Sequence, residues 1–170
     1  MKYKFPTLSR KDTNTIIRSE PEMTSHQKLD AVQTRGLVIG WDEENEYGYS
    51  GATVGFATDI TVSSSENEAE ERITIFDPVT GTRYSYKHAT SVPCKWLPEV
   101  ICRRNVKSLD SEKEYYAICK VMGISPDFKQ FNCLSRNGGE FYIVDPEDMK
   151  FIGAIEFGIS EEEVKDGDKV

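Results

Sequence analysis

The sequence predicts an α+β fold, in which an N-terminal small twisted β-barrel or sheet is followed by a helix plus a three-stranded β-meander. Apolar residues alternate with polar ones in the first half, follow a helical period near residue 115, and alternate again afterwards. The chain has 170 residues, of which 38% are hydrophobic. That length and composition suit one domain or two small ones and exclude a wholly disordered chain.

Residues 1–34 are expected to form a basic arm and a possible short helix. Residues 1–20 show no periodicity. In the segment 21–33, Thr24 and Gln27 have the spacing of a capping box, in which each residue bonds the backbone of the other. The sequence therefore predicts that any helix in this region begins near Thr24.

Residues 35–100 are predicted to form a small β-barrel-like domain. Alternation over residues 53–62 predicts a strand with one buried face, formed by Val54, Phe56, Thr58, Ile60 and Val62. Residues 72–87 predict a hairpin whose turn begins at Asp77, with Gly81 in the left-handed conformation.

About four short strands between residues 35 and 97 would leave one face of an open sheet uncovered. Closure into an SH3-like or Tudor-like barrel would bury that face, and packing against the later helix is the alternative. The barrel is the favoured interpretation. An architecture of this kind does not by itself indicate a function.

Residues 101–158 are predicted to form an α+β domain, and residues 159–170 an acidic tail. Ser111 and Glu114 have capping-box spacing, and Gly123 stands at the position of a C-cap. Between them, apolar residues at helical spacing predict a helix over 111–123: Tyr115, Ile118, Cys119 and Met122.

Ser125 and Pro126 suit the start of a second helix. Three later runs, beginning at 131, 140 and 149, predict the meander.

Charge is segregated along an acidic chain, whose formal net charge is −8. Residues 83–107 contain six basic residues and one acidic residue, and residues 1–18 are also basic. Acidic residues gather in 66–71 and in 156–170. Such segregation can create a positive patch that attracts phosphate groups or acidic partners, although charge runs often only decorate a solvated surface.

The leading hypothesis is a non-enzymatic, regulatory nucleic-acid-binding module that contacts the phosphate backbone, with DNA favoured over RNA. Alternation on a strand would separate Tyr84 and Tyr86 from Arg83 and Lys87, which favours phosphate contact over base stacking. The predicted nucleic-acid-binding residues are Arg83, Lys87, Lys95, Trp96, Arg103, Arg104 and Lys107.

The alternative hypothesis is an acidic protein-binding inhibitor or adaptor. Its acidic loop and tail would dock on a basic partner protein and would compete with nucleic acid for it. The overall negative charge favours this second interpretation.

Enzyme and cofactor sites are not indicated, so no catalytic residue, metal or cofactor is predicted. His88 lies six residues from Cys94, but a nucleophile and its base must meet in space with an orienting group. The four cysteines have irregular spacing, which does not match a structural zinc site. No apolar run could cross a membrane and no secretory signal is recognised, so a cytoplasmic location is expected.

Overall fold

The computed structural model describes residues 5, 6, 8–64, 69–107, 112–136 and 139–153. The chain divides into two compact units, residues 1–93 and residues 94–170. Within the described residues each unit contains one antiparallel five-stranded sheet, and the α-helices lie in the first unit.

The first unit places two helices before its sheet. Its elements are α1 (Arg10–Ser19), α2 (Ser25–Thr34), β1 (Leu37–Trp41), β2 (Thr53–Ser64), β3 (Ala69–Asp77), β4 (Thr82–Tyr86) and β5 (His88–Ser91). The strand order is β4-β3-β2-β1-β5, so β4 and β5 form the edges of this sheet.

Both helices begin at side chains that cap the backbone. The Thr24 hydroxyl accepts from the Gln27 N–H, and the Gln27 side chain accepts from the Thr24 N–H, which confirms the predicted capping box. Helix α1, which the sequence did not predict, begins where the Ser9 hydroxyl accepts from the Asp12 N–H at 3.1 Å. Only Thr13, Ile16 and Ile17 of α1 are buried, too few to give a clear apolar period.

The sheet of the first unit is buried on both faces. One face forms a core with α2, whose Ala31 and Val32 pack against it; the core residues are Met23, Val38, Ala57, Ile73, Ile75, Tyr86 and Ala89. On the other face the ring of Phe5 meets that of Phe56 edge-on at 5.6 Å.

The prediction of a single buried face on β2 is wrong, because Ala57 is as buried as Phe56, while Val62 is 65% exposed. The pairing of β2 with β3 shifts between Ala57 and Asp59, which breaks the alternation.

The hairpin of β3 and β4 confirms the prediction for residues 72–87. The Gly81 N–H donates to the Asp77 carbonyl at 2.9 Å, and the Val79 N–H donates to the Asp77 carboxylate at 2.9 Å. Gly81 has φ of 73°, the left-handed conformation that glycine adopts without strain. The turn chemistry is local, so the sequence could show it.

The second unit is built from strands and two single-turn 3-10 helices. Its elements are the 3-10 turn Cys94–Trp96, β6 (Glu99–Lys107), β7 (Glu112–Ile124), β8 (Phe131–Ser135), β9 (Phe141–Val144), the 3-10 turn Pro146–Asp148 and β10 (Met149–Gly153). The strand order is β10-β6-β7-β8-β9, so the last strand pairs with the first. Its fully buried residues include Val100, Cys102, Cys119, Val121 and Cys133.

The two units share one connectivity. In each, the first four strands form a meander and the fifth strand returns to pair with the first strand. The similarity is in the order of hydrogen-bonded strands, whereas the sequences of the two halves show no internal repeat.

The predicted fold class is wrong. The described residues are mostly β, with two five-stranded sheets that are not closed into barrels and two short α-helices. In the first unit, packing of α2 covers the face that barrel closure was expected to bury. The predicted meander of the last three strands is also wrong, because β10 pairs with β6 instead of β9.

The two helices predicted in the second half are strands and loops in the structure. Residues 112–124 form β7, which pairs with β6 on one side and β8 on the other. Gly123, predicted as a C-cap, lies where the β7–β8 register shifts. The residues that follow Ser125 form a non-helical turn, in which Phe128 has φ of 60°.

Candidate functional site

The predicted basic residues are divided between the two compact units. Arg83 and Lys87 belong to the first unit, whereas Lys95, Trp96, Arg103, Arg104 and Lys107 belong to the second. Within the described residues, each unit therefore has to be considered as a separate candidate surface.

Lys87 lies in a balanced charge network. Its Nζ is 3.7 Å from Glu70 Oε1, and its backbone N–H donates to Asp42 Oδ1 at 2.8 Å. Arg72 Nη2 also lies 3.0 Å from Asp42 Oδ1, and Arg72 Nη1 lies 3.7 Å from Glu70 Oε1. Two cations and two carboxylates thus compensate each other, and the charge of Lys87 is partly neutralised. Arg83 is exposed on the edge strand β4.

The basic residues of the second unit begin in its first 3-10 turn. Lys95 Nζ lies 5.8 Å from the centre of the Trp96 ring, a cation–π distance, and Lys95 is exposed. Arg103, Arg104 and Lys107 lie on β6, where their backbones pair with Tyr116, Tyr115 and Glu112 of β7. The side chains of these three basic residues lie outside the described part of the structure.

The acidic segments of the alternative hypothesis are only partly described. Glu70 pairs with Arg72 and Lys87, and Glu71 Oε1 lies 3.6 Å from Lys28 Nζ. These two carboxylates are therefore engaged within the first unit. Residues 65–68 and the tail 154–170 lie outside the described residues.

His88 is placed by a carboxylate and an aromatic ring. Its Nδ1 hydrogen-bonds Glu22, and its ring stacks on Trp41 with centroids 5.7 Å apart. Cys94, the other member of the pair considered in the sequence, belongs to the second unit, where its carbonyl accepts from Lys120 Nζ at 2.6 Å. These contacts give His88 an orienting partner, the carboxylate of Glu22.

A cavity of about 250 Å³ lies beside α1 and the start of β2. Its lining residues are Leu8, Arg10, Thr13, Tyr49, Ser50, Ala52, Thr53, Val54 and Asp77. Two of the lining hydroxyls are already engaged, because Thr53 bonds Tyr86 and Ser50 accepts from Asn45. The cavity is smaller than the clefts of about 300–1,000 Å³ that hold most ligands.

Three carboxylates meet beside the second 3-10 turn. Oxygen atoms of Asp145, Glu147 and Asp148 lie within 4.8 Å of one another. Carboxylate oxygens are ligands for hard cations, but Glu147 is exposed and Asp145 also accepts from Gln130 Nε2 at 2.9 Å. The cluster makes this end of β9 strongly acidic.

Strand β9 is an edge strand that exposes two large apolar side chains. Phe141 is 71% exposed and Ile143 is 67% exposed, and both point to the same face because they are two residues apart. Glu140 precedes the strand, and the acidic cluster follows it. An exposed apolar edge promotes pairing with another chain unless it is blocked. This surface is the strongest interaction candidate among the described residues.

The sequence predicts strand β9 but not the exposure of its apolar side chains. Residues 140–144 were predicted to be a strand of the meander, without a functional role. The available signal was a run of four apolar residues, Phe141–Val144, bounded by acidic residues. An alternating pattern was expected for a strand with one solvated face, and its absence indicates apolar side chains on both faces.

No family model, curated protein or solved structure matches the chain. Among the described residues, the helices are too short and too polar to cross a bilayer. The geometry and charge of each unit are therefore the basis for a functional proposal.

Proposed function

We propose that the chain is a protein-binding adaptor or inhibitor that engages a basic partner through the second unit. The observation that supports this proposal is the edge strand β9, which exposes Phe141 and Ile143 between acidic residues. Soluble proteins normally blunt such an edge with lysine, proline or a covering loop. Exposed apolar side chains rimmed by charge are typical of interaction surfaces.

A basic partner would complement the negative charge of the segment around β9. Residues 139–149 contain Glu140, Asp145, Glu147 and Asp148 and no basic residue. Complementary charges increase the rate of association and disfavour wrong partners, while apolar contacts supply most of the affinity. The surface therefore favours a basic protein as its partner.

The test is affinity purification of nuclease-treated lysate with three forms of the full chain. The forms are the wild type, a Phe141→Ser/Ile143→Ser variant and a Tyr47→Ser/Val62→Ser variant. Tyr47 and Val62 are a matched control, because they are 71% and 65% exposed but lie in the first unit.

We expect at least one basic protein to be recovered by the wild type and the control but not by the β9 variant. Its direct binding is then checked with both purified proteins. Recovery that is unaffected by the β9 substitutions, or that disappears with nuclease, would contradict the proposal.

Nucleic-acid binding is a second candidate, favoured by the Lys95–Trp96 pair and by the basic residues of β6. Fluorescence anisotropy with labelled DNA and RNA at about 50 and 200 mM salt tests it, since phosphate contacts weaken steeply with salt. An Arg103→Glu/Arg104→Glu/Lys107→Glu variant should abolish binding. Lys87→Gln should leave binding unchanged, because Glu70 already compensates that charge. Absence of binding at the lower salt concentration would exclude this candidate.

A further inference from the structure

We infer that the partner adds an extended strand to the outer edge of β9 and that apolar and basic residues alternate along this strand. The inference rests on the protein-binding function proposed above and specifies how the partner is recognised. Strand addition takes its affinity from main-chain hydrogen bonds and its specificity from alternate side chains.

The backbone of β9 offers hydrogen-bonding groups at the outer edge. The Ser135 N–H donates to the Glu140 carbonyl at 2.8 Å, which fixes the phase of the β8–β9 ladder. Bonded and non-bonded pairs alternate in an antiparallel ladder, so Tyr142 and Val144 bond to β8. The N–H and C=O groups of Phe141 and Ile143 therefore point away from β8. In the described residues no strand pairs with that edge.

The same two residues carry the exposed side chains. Phe141 and Ile143 lie on one face of the sheet, next to the half-buried Leu134 of β8. An added strand would place every second side chain beside them, where an apolar residue removes the most water-exposed surface. The intervening side chains would lie on the face of Glu140 and Tyr142. On that face the Tyr142 hydroxyl hydrogen-bonds the Glu140 carboxylate. A basic residue suits this face, because its charge is opposite to that of the carboxylate.

The edge is bounded at both ends. Gly139 has φ of +66°, which turns the chain away before the strand begins. Strand β9 ends at Val144, and the 3-10 turn Pro146–Asp148 follows Asp145, so the extended edge does not continue past this point. A partner segment that spans residues 140–145 fills the available edge, and its last basic residue would meet the carboxylates of Asp145, Glu147 and Asp148.

Charge disfavours a second copy of the chain as the occupant. Two β9 edges paired about a two-fold axis would bring the acidic ends of one strand close to those of the other. Like charges across neighbouring strands are destabilising. A basic segment instead gains favourable interactions at both ends of the edge, so the partner strand is assigned to a different protein.

Labelled synthetic peptides and the full-length chain test this inference by fluorescence anisotropy. The probe is a short peptide in which valine alternates with lysine. The first comparison peptide alternates valine with glutamate, and the second is the valine–lysine peptide with N-methyl groups on alternate backbone nitrogens. N-methylation removes the donors that strand addition needs and retains the side chains.

We expect the valine–lysine peptide to bind, and both comparison peptides to bind at least about tenfold more weakly. The Phe141→Ser/Ile143→Ser variant should bind the valine–lysine peptide about tenfold or more weakly than the wild type, because two apolar contacts are lost. Tyr47→Ser/Val62→Ser should bind like the wild type. Circular dichroism melting of each variant confirms that the fold is retained.

Three results would overturn the inference. One is the absence of valine–lysine binding, and another is equal binding of the N-methylated peptide. The third is a dimer, detected by light scattering, that the β9 substitutions abolish, since the occupant would then be a second copy. The lysate experiment tests the proposed function separately. If a basic protein is recovered by the wild type and not by the β9 variant, the proposed function stands even when the peptides show no strand addition.

Discussion

Lys28 of α2 and Glu71 of β3 form an ion pair inside the first unit, with Nζ 3.6 Å from Oε1. The Lys28 side chain is only 8% exposed, and its ammonium group also donates to the Lys87 carbonyl at 3.2 Å. A buried charge is tolerated when it is both paired and hydrogen-bonded. The pair joins α2 to the sheet and explains why a lysine lies within the helix face that covers the core.

The two partners of this pair should differ in their effect on stability. We predict that Glu71→Gln lowers the free energy of unfolding by about 2 kcal/mol, because it leaves the buried Lys28 charge uncompensated. Lys28→Met should cost less, since methionine retains much of the aliphatic stem and removes the buried charge. Urea unfolding of both variants measures the difference. A larger loss for Lys28→Met would show that the pair stabilises the unit through its charge.

Tyr86 should make the first unit sensitive to alkaline pH. Burial raises the pKa of Tyr86 above 10.0, and its hydroxyl hydrogen-bonds Thr53. The folded state therefore favours the protonated phenol. The contribution of Tyr86 to the free energy of unfolding is complete below pH 10 and is lost as the pH rises through its pKa in the folded state. Tyr86→Phe should remove this loss and cost about 1 kcal/mol at neutral pH.

Urea unfolding between pH 7 and about 11 measures the effect of Tyr86. Tyr84→Phe is the matched control, because Tyr84 lies on the same strand and is 38% exposed. An alkaline stability profile that is the same in Tyr86→Phe and the wild type would refute the assignment.

Local chemistry was readable from the sequence, and long-range pairing was not. The Thr24 capping box and the Asp77 turn involve residues at most four positions apart, and both predictions were confirmed. Residues 111–123 show the limit, because Ile118, Cys119 and Met122 fit a helical stripe as well as a strand. Pairing with β6 and β8 decides for a strand, in which Cys119 and Val121 are buried on one face.

The candidate surfaces could not be predicted from the sequence either, because they also depend on long-range pairing. Lys87 counted as a free cation in the sequence, but its carboxylate partner Glu70 lies 17 positions earlier and reaches it across the sheet. The strand character of β9 was predicted correctly. Its position at the edge follows from the pairing of β10 with β6, which no local pattern encodes.

Asp127 should make the turn between β7 and β8 sensitive to acid. Hydrogen bonds from the Ser125 hydroxyl at 2.6 Å and from the Lys129 N–H at 3.1 Å lower the pKa of Asp127 below 3.8. The folded state therefore favours the carboxylate. The contribution of this carboxylate to the free energy of unfolding is present above pH 3.8 and is lost as the pH falls through its pKa in the folded state.

Asp127→Asn keeps an oxygen acceptor in this turn and removes the titration. We expect the stability of the variant to depend less on pH between about 2 and 5 than that of the wild type. Asp59→Asn is a control, because Asp59 is an exposed carboxylate of the first unit. Thermal unfolding at several pH values in this range measures the stability of both variants. Equal acid sensitivity in Asp127→Asn and the wild type would show that the turn carboxylate is not linked to folding.

Gly55 should be irreplaceable because a side chain there would meet the neighbouring strand. A Cβ at this position would overlap the carbonyl oxygen of Phe76 and would lie 2.7 Å from Ile75 Cγ2. Since the obstacle includes backbone of β3, it cannot rotate away, and we predict that Gly55→Ala lowers the free energy of unfolding by about 3 kcal/mol. Gly51→Ala, whose Cβ would meet no atom within 4 Å, should change it by less than about 0.5 kcal/mol. Urea unfolding of the two alanine variants gives the comparison, and similar values for both would contradict the tight approach of β2 and β3.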